Sequence, residues 1–87
     1  MNEAELSKSL GSRIRKLREE QNLSQQDLAA LCNFEKSNMA RIESGRTNPT
    51  FLTLHKISVA LKVSLSVLVN IDNDKVFKAN YGITCLY

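Results

Sequence analysis

Glu35, Lys36, Ser37 and Arg41 lie close together in a stretch that can form a helix, with Lys36, Ser37 and Arg41 spaced to share one side of it. Ammonium and guanidinium groups donate to acceptors such as guanine O6 and N7. A hydroxyl pairs with several base edges, and a carboxylate accepts from the amine of cytosine. As isolated residues, these four are equally compatible with a plainly solvated surface. The distinction rests on the elements that carry them.

Those elements read as two short helices joined by a tight turn. Ser24 is a good N-cap and Asp27 follows three residues later, an approximate capping box, with Leu23 and Leu28 placed to staple the helix start. Leu28, Ala29, Leu31 and Cys32 supply an apolar face. Asn33 falls where the chain must turn, and asparagine tolerates the left-handed conformation. Phe34 can staple onto Met39 at the next helix start. That helix is expected over Lys36–Ser44, with Met39 and Ile42 inward, Asn38 beside them, and Gly45 as its stop. Ala29 is small where the two helices must meet, since a larger side chain would push them apart. Small residue, turn and apolar residues at this spacing form a helix-turn-helix pattern, whose second helix reads the major groove. The alternative is an ordinary helical hairpin.

The flanking sequence supplies a frame. A first helix over residues 6–21 turns Leu6, Leu10, Ile14 and Leu17 inward, and Asn22 ends it. After a loop containing the only proline, Pro49, Thr50 caps a fourth helix with apolar residues Phe51, Leu54, Ile57, Ala60 and Leu61. Lys62 stands where a glycine stop is usual. Ser64 caps a short fifth helix carrying Leu65, Leu68 and Val69. The expected fold is all-α, with a domain over residues 1–69 and an extension over 70–87. In the extension, Tyr81, Ile83, Cys85 and Tyr87 alternate with other residues as in a strand, which would need a partner.

Residues 10–69 resemble the Cro/repressor type of helix-turn-helix domain, the Xre-like or lambda-repressor-like family. The resemblance is carried by Ile-Arg-Lys-Leu-Arg-Glu-Glu-Gln-Asn-Leu-Ser-Gln-Gln-Asp-Leu-Ala (14–29), Ile-Glu-Ser-Gly-Arg-Thr-Asn-Pro-Thr (42–50) and Leu-Lys-Val-Ser-Leu (61–65). Two positions depart from it: family members usually have glycine at Asn33 and serine or threonine at Glu35. Glu35 is a poorer cap and carries a negative charge toward DNA. The resemblance implies a five-helix DNA-binding domain in which Glu35, Lys36, Ser37 and Arg41 face base edges. It also implies that Gln25 anchors a phosphate, and that Arg18 pairs with Glu43 as a structural ion pair. A helix N-terminus favours phosphate, which adds Gln26; Asn38, Arg46 and Asn48 are phosphate candidates by position.

Composition agrees and excludes other classes. The chain has 87 residues and a net charge of +3, so it is one small, mildly basic domain. Lys8, Arg13, Arg15, Lys16, Arg18, Lys36, Arg41 and Arg46 fall largely on the first helix, the third helix and the following loop, a pattern suited to phosphate. Cys32 and Cys85 are far apart with no histidine nearby, so neither a metal nor another cofactor is expected. No catalytic nucleophile, base and orienter can be assembled, and His55, the lone histidine, reads as a helix-surface residue. No apolar run approaches the ~18 residues of a membrane span. No signal peptide is apparent, so a cytoplasmic protein with no membrane partner is expected. The expected function is a homodimeric regulator of transcription bound to double-stranded DNA, with Leu65, Leu68, Val69, Tyr81 and Ile83 at the dimer interface. The alternative is an antitoxin or other interaction module of the same fold, with a toxin as protein partner.

Overall fold

The computed structural model describes residues 2–71. Within them lie five helices and no strand: α1 (Glu3–Glu20), α2 (Gln25–Cys32), α3 (Lys36–Ser44), α4 (Phe51–Leu61) and α5 (Leu65–Leu68). No helix among the described residues is long and apolar enough to cross a membrane. The expected strand, with Tyr81 and Ile83, lies outside the described residues.

Local chemistry sets most helix ends. In α1 the Asn2 side chain accepts from the Glu5 N–H at 2.8 Å, and Glu3 and Glu5 favour the positive end of the helix dipole. The helix therefore starts a turn earlier than residue 6. The Ser24 hydroxyl accepts from the Asp27 N–H, and the Asp27 carboxylate accepts from the Ser24 N–H, both at 3.0 Å, completing the capping box. Hydrogen bonding from Ser24 to the Asp27 carboxyl, chiefly from its backbone N–H and then from its hydroxyl, holds that carboxyl below its ordinary pKa. Thr50 and Ser64 cap α4 and α5 through the N–H groups of Thr53 and Val67. Asn33, Gly45 and Lys62 close α2, α3 and α4 in the left-handed conformation.

Ile14 and Leu17 of α1 meet Leu28, Ala29 and Cys32 of α2, Met39 and Ile42 of α3, Ile57 and Leu61 of α4, and Leu68 of α5 in one core. Several apolar expectations fail at helix ends and edges. Leu6 and Phe51 are exposed because each sits in a first turn ahead of the packed part of its helix. Leu31 is 60% exposed, off the stripe defined by Leu28 and Cys32. Asn38 is exposed rather than set among inward residues. Leu68, expected at a dimer interface, is 0% exposed and belongs to the chain's own core. Full burial of a leucine contributes about 1.5–3 kcal/mol, which its withdrawal to an interface would forfeit.

Three long-range polar contacts complete the frame. The Arg13 guanidinium donates twice to the Val67 carbonyl, at 3.1 and 3.0 Å, joining α1 to α5. The Gln21 side chain donates to the Leu61 carbonyl, joining the end of α1 to the end of α4. Arg18 grips Glu43 with two bonds, Nε to Oε2 at 2.7 Å and Nη2 to Oε1 at 3.0 Å, and its Nη1 donates to the Leu23 carbonyl at 2.7 Å. Glu43 raises the Arg18 pKa above its ordinary value, chiefly through its side-chain hydrogen bonds. Their approach needs Gly11: a β-carbon there would collide with the backbone carbonyls of Ile42 and Glu43.

The Glu43 side chain is only 2% exposed. Removing its partner strands a buried charge, so Arg18→Ala is expected to cost about 3–5 kcal/mol in urea unfolding. The Arg18→Ala, Glu43→Ala double variant should recover part of that loss, because no lone charge remains. Strictly additive losses in a double-mutant cycle would show that the pair contributes no coupling.

Candidate nucleic-acid interface

Helices α2 and α3 meet at Ala29, which is buried, and at a turn whose Asn33 has φ 59°. The N–H groups of Asn33 and Phe34 donate to the carbonyls of Ala30 and Ala29, so the end of α2 is closed without glycine. Phe34 packs against the core under Lys56, whose Nζ lies 5.8 Å from the ring centroid. With Met39 and Ile42 buried, the opposite side of α3 is fixed outward.

That outward side carries Lys36, Ser37, Arg41 and Ser44, all exposed, with Ala40 half-buried between them. Ser37, Ala40, Arg41 and Ser44 join Arg46 in one shallow hollow. Ser37 and Arg41 also line its neighbour with Asn33, Glu35 and Asn38. The structure therefore brings three of the four expected base-facing residues, Glu35, Ser37 and Arg41, together around these hollows, while Lys36 is exposed on the first turn of α3 but lines neither. The side chains of Lys36, Ser37, Arg41 and Arg46 make no hydrogen bond or ion pair among the described residues. Ser44 is different, since its hydroxyl donates to the Arg41 carbonyl at 3.1 Å. Glu35 stands at the N-cap of α3 but its side chain accepts no backbone N–H. The start of α3 is thus left open beside an exposed carboxylate.

The residues expected at phosphate are divided. Gln26, Asn38, Arg46 and Asn48 are exposed. Gln25 is half-buried, and its amide donates to Glu43 Oε1 at 3.1 Å. That oxygen also receives Arg18 Nη2, so the first residue of α2 is tied to the last turn of α3 and, through Glu43, to α1. The backbone N–H end of α2 is thereby held at a set distance from the outward side of α3. Nothing in the sequence pattern announces this tie, because a single contact across 18 residues leaves no periodicity. Gly11 and Arg13 were likewise not legible as positioning residues. Among the described residues, no group of three His, Cys, Asp or Glu side chains could hold a metal ion. His55 is exposed on α4, and burial pushes the Cys32 thiol above its ordinary pKa.

Known proteins share this arrangement. The sequence matches the helix-turn-helix family over residues 14–68. It is 34% identical over 73 residues to the uncharacterized HTH-type transcriptional regulator y4dJ of Sinorhizobium fredii, covering 84% of this chain and 95% of that protein. It is 37% identical over 59 residues to control protein C.MunI of a Mycoplasma species, covering 67% of this chain and 80% of that one. The crystal structure of the restriction-modification controller protein C.AhdI from Aeromonas hydrophila superposes with a TM-score of 0.70 at 32% identity, over 75% of this chain and 97% of that chain. With the helix-turn-helix geometry and these matches together, the chain belongs to the Xre-like helix-turn-helix family of DNA-binding transcriptional regulators.

Proposed function

We propose that the chain is a sequence-specific regulator that acts as a homodimer and inserts α3 into the major groove of a near-palindromic operator. The observation that carries this reading is the outward strip of Lys36, Ser37 and Arg41, whose donors have no partner among the described residues while the frame beneath is saturated. Lys36 and Arg41 suit guanine, Ser37 suits several bases, and Glu35 accepts from a cytosine amine. The free N–H end of α2, with Gln25 and Gln26, faces one phosphate, and Asn38, Arg46 and Asn48 contact others; such contacts set register without reading sequence.

A single α3 spans only a few base pairs, so specificity requires two units whose reading helices sit about 34 Å apart. Leu65 is half-buried, and Val67 and Val69 are exposed beside it at the end of α5. This apolar edge, together with residues 76–87, is the proposed dimer contact. Similarity to proteins named as a controller of restriction-modification and, over 70% of this chain and 42% of that protein, an immunity repressor of Bacillus phage phi105, supports a regulator of transcription. Selection from randomised DNA should return an inverted repeat; an unstructured consensus would count against a dimeric reader.

Arg41→Ala is expected to lose about 1–3 kcal/mol on the selected operator and relax preference at one base pair. Equal losses on operator and random DNA, measured by titration at fixed salt, would reassign Arg41 to phosphate.

Gln25→Ala should weaken binding to all sequences alike, since it loosens the α2 start from Glu43 and leaves the base-facing strip intact. A changed base preference at unchanged overall affinity would contradict the assignment.

Deleting residues 76–87 should convert a dimer to a monomer at micromolar concentration in light scattering. A truncated chain that is still dimeric places the main interface elsewhere, and a monomeric full-length chain removes the dimer proposal.

A further inference from the structure

Helix α4 is apolar on two sides, and only one is used by the core. Its inner side carries Leu54, Ile57 and Leu61. On its outer side, Leu52 and Val59 are spaced seven apart and are 72% and 61% exposed. Leu31, the misfit of α2, is 60% exposed across from Val59. Between the two helices runs a groove lined by Leu31, Asn33, Lys56, Val59, Ala60 and Lys62, with the buried Cys32 beneath and His55 at its side. Apolar side chains exposed together and rimmed by polar ones mark contact surfaces more often than solvent faces.

The charge of the rim narrows the occupant. Lys56 and Lys62 flank the groove, and no aspartate or glutamate lines it. Lys62 makes no ion pair among the described residues, and Lys56 rests on the Phe34 ring instead of a carboxylate. A nucleic acid would satisfy the lysines and leave Leu31 and Val59 wet. A purely apolar segment would cover the leucine and valine and leave the lysines unpaired. We infer that the α2–α4 groove docks a short protein segment from another polypeptide, one with apolar anchors for Leu31 and Val59 and acidic residues for Lys56 and Lys62. The groove adjoins the reading surface, since Asn33 lines both. A partner seated there stands beside the DNA while the outward side of α3 stays open.

A display library of random short peptides, selected against the full-length chain at moderate salt, tests this. The enriched peptides should combine large apolar residues with aspartate or glutamate and should compete with one another. Their binding should disappear in Leu31→Glu and Val59→Glu, both exposed positions that leave the core untouched. The Lys56→Glu, Lys62→Glu pair should weaken them about tenfold through charge reversal. Unchanged binding of all three variants to the selected operator establishes that they are folded. Failure to enrich any peptide, or enrichment of peptides indifferent to these variants, overturns the proposal. So do peptides displaced by operator DNA alone, which places them on α3. If Val59→Glu instead changes the mass of the chain in solution, the groove belongs to a second copy and the proposal is wrong.

Discussion

The Glu43 carboxylate sits in the last turn of α3, where the helix dipole opposes a negative charge, and it is almost wholly removed from water. Such a group persists only with a cation held at full hydrogen-bonding distance. Arg18 supplies it, and the fork geometry of a guanidinium dictates how. Two of its nitrogens meet the two carboxylate oxygens, which aligns α1 against α3, and the third takes the Leu23 carbonyl, which fixes the chain as it enters α2. Gly11 lets the two backbones close to the required distance. Gln25 then uses the remaining capacity of Glu43 Oε1 to bring in the first turn of α2. One buried pair thus sets the relation between all three N-terminal helices.

An apolar pair of similar volume could fill the same space at similar or lower cost. What it could not do is fix direction. Packing of Ile14, Met39 and Ile42 tolerates small rotations of α3, since apolar contacts have no preferred angle. A bidentate ion pair does not. The proposed function depends on where one helix face points relative to the start of another helix, and for it that directionality is the more valuable property.

The parts of the fold legible in the sequence are those built from neighbours. Ser24 with Asp27, Thr50, Ser64, Asn33 and Gly45 act within three or four residues of themselves, and each closes its helix as its chemistry dictates. Ile14, Leu17, Leu28 and Ile57 were legible because periodicity averages over several turns. Periodicity says nothing about where a helix leaves the packed body, so Leu6 and Phe51 were misplaced. It also blurs at the edge of a stripe, which misplaced Leu31. The sequence pattern does not mark Leu68 as core, because α5 is too short to show a period. The exposed residues of α3 were legible as a strip, but Gln25 was legible only as a helix start. Its tie to Glu43 depends on tertiary placement that no local pattern encodes.

The division between saturated and free polar groups carries the functional argument furthest. Arg13, Arg18, Gln21, Gln25 and Glu43 all spend their hydrogen-bonding capacity inside the fold. Lys36, Ser37, Arg41 and Arg46 spend none among the described residues. A ligand meeting the second set therefore breaks no internal bond, and the cost is limited to ordering each side chain, about 0.5–1.5 kcal/mol apiece. Glu35 works in the opposite sense. Its carboxylate takes no N–H of its own helix, and in the proposed complex it stands at the open end of α3, where it repels phosphate wherever no donor answers it. A groove that presents an amine at that point removes the penalty, and one that does not retains it. In the proposed complex, cations supply attraction to any duplex, and the uncapped carboxylate among them makes that attraction conditional on the bases beneath.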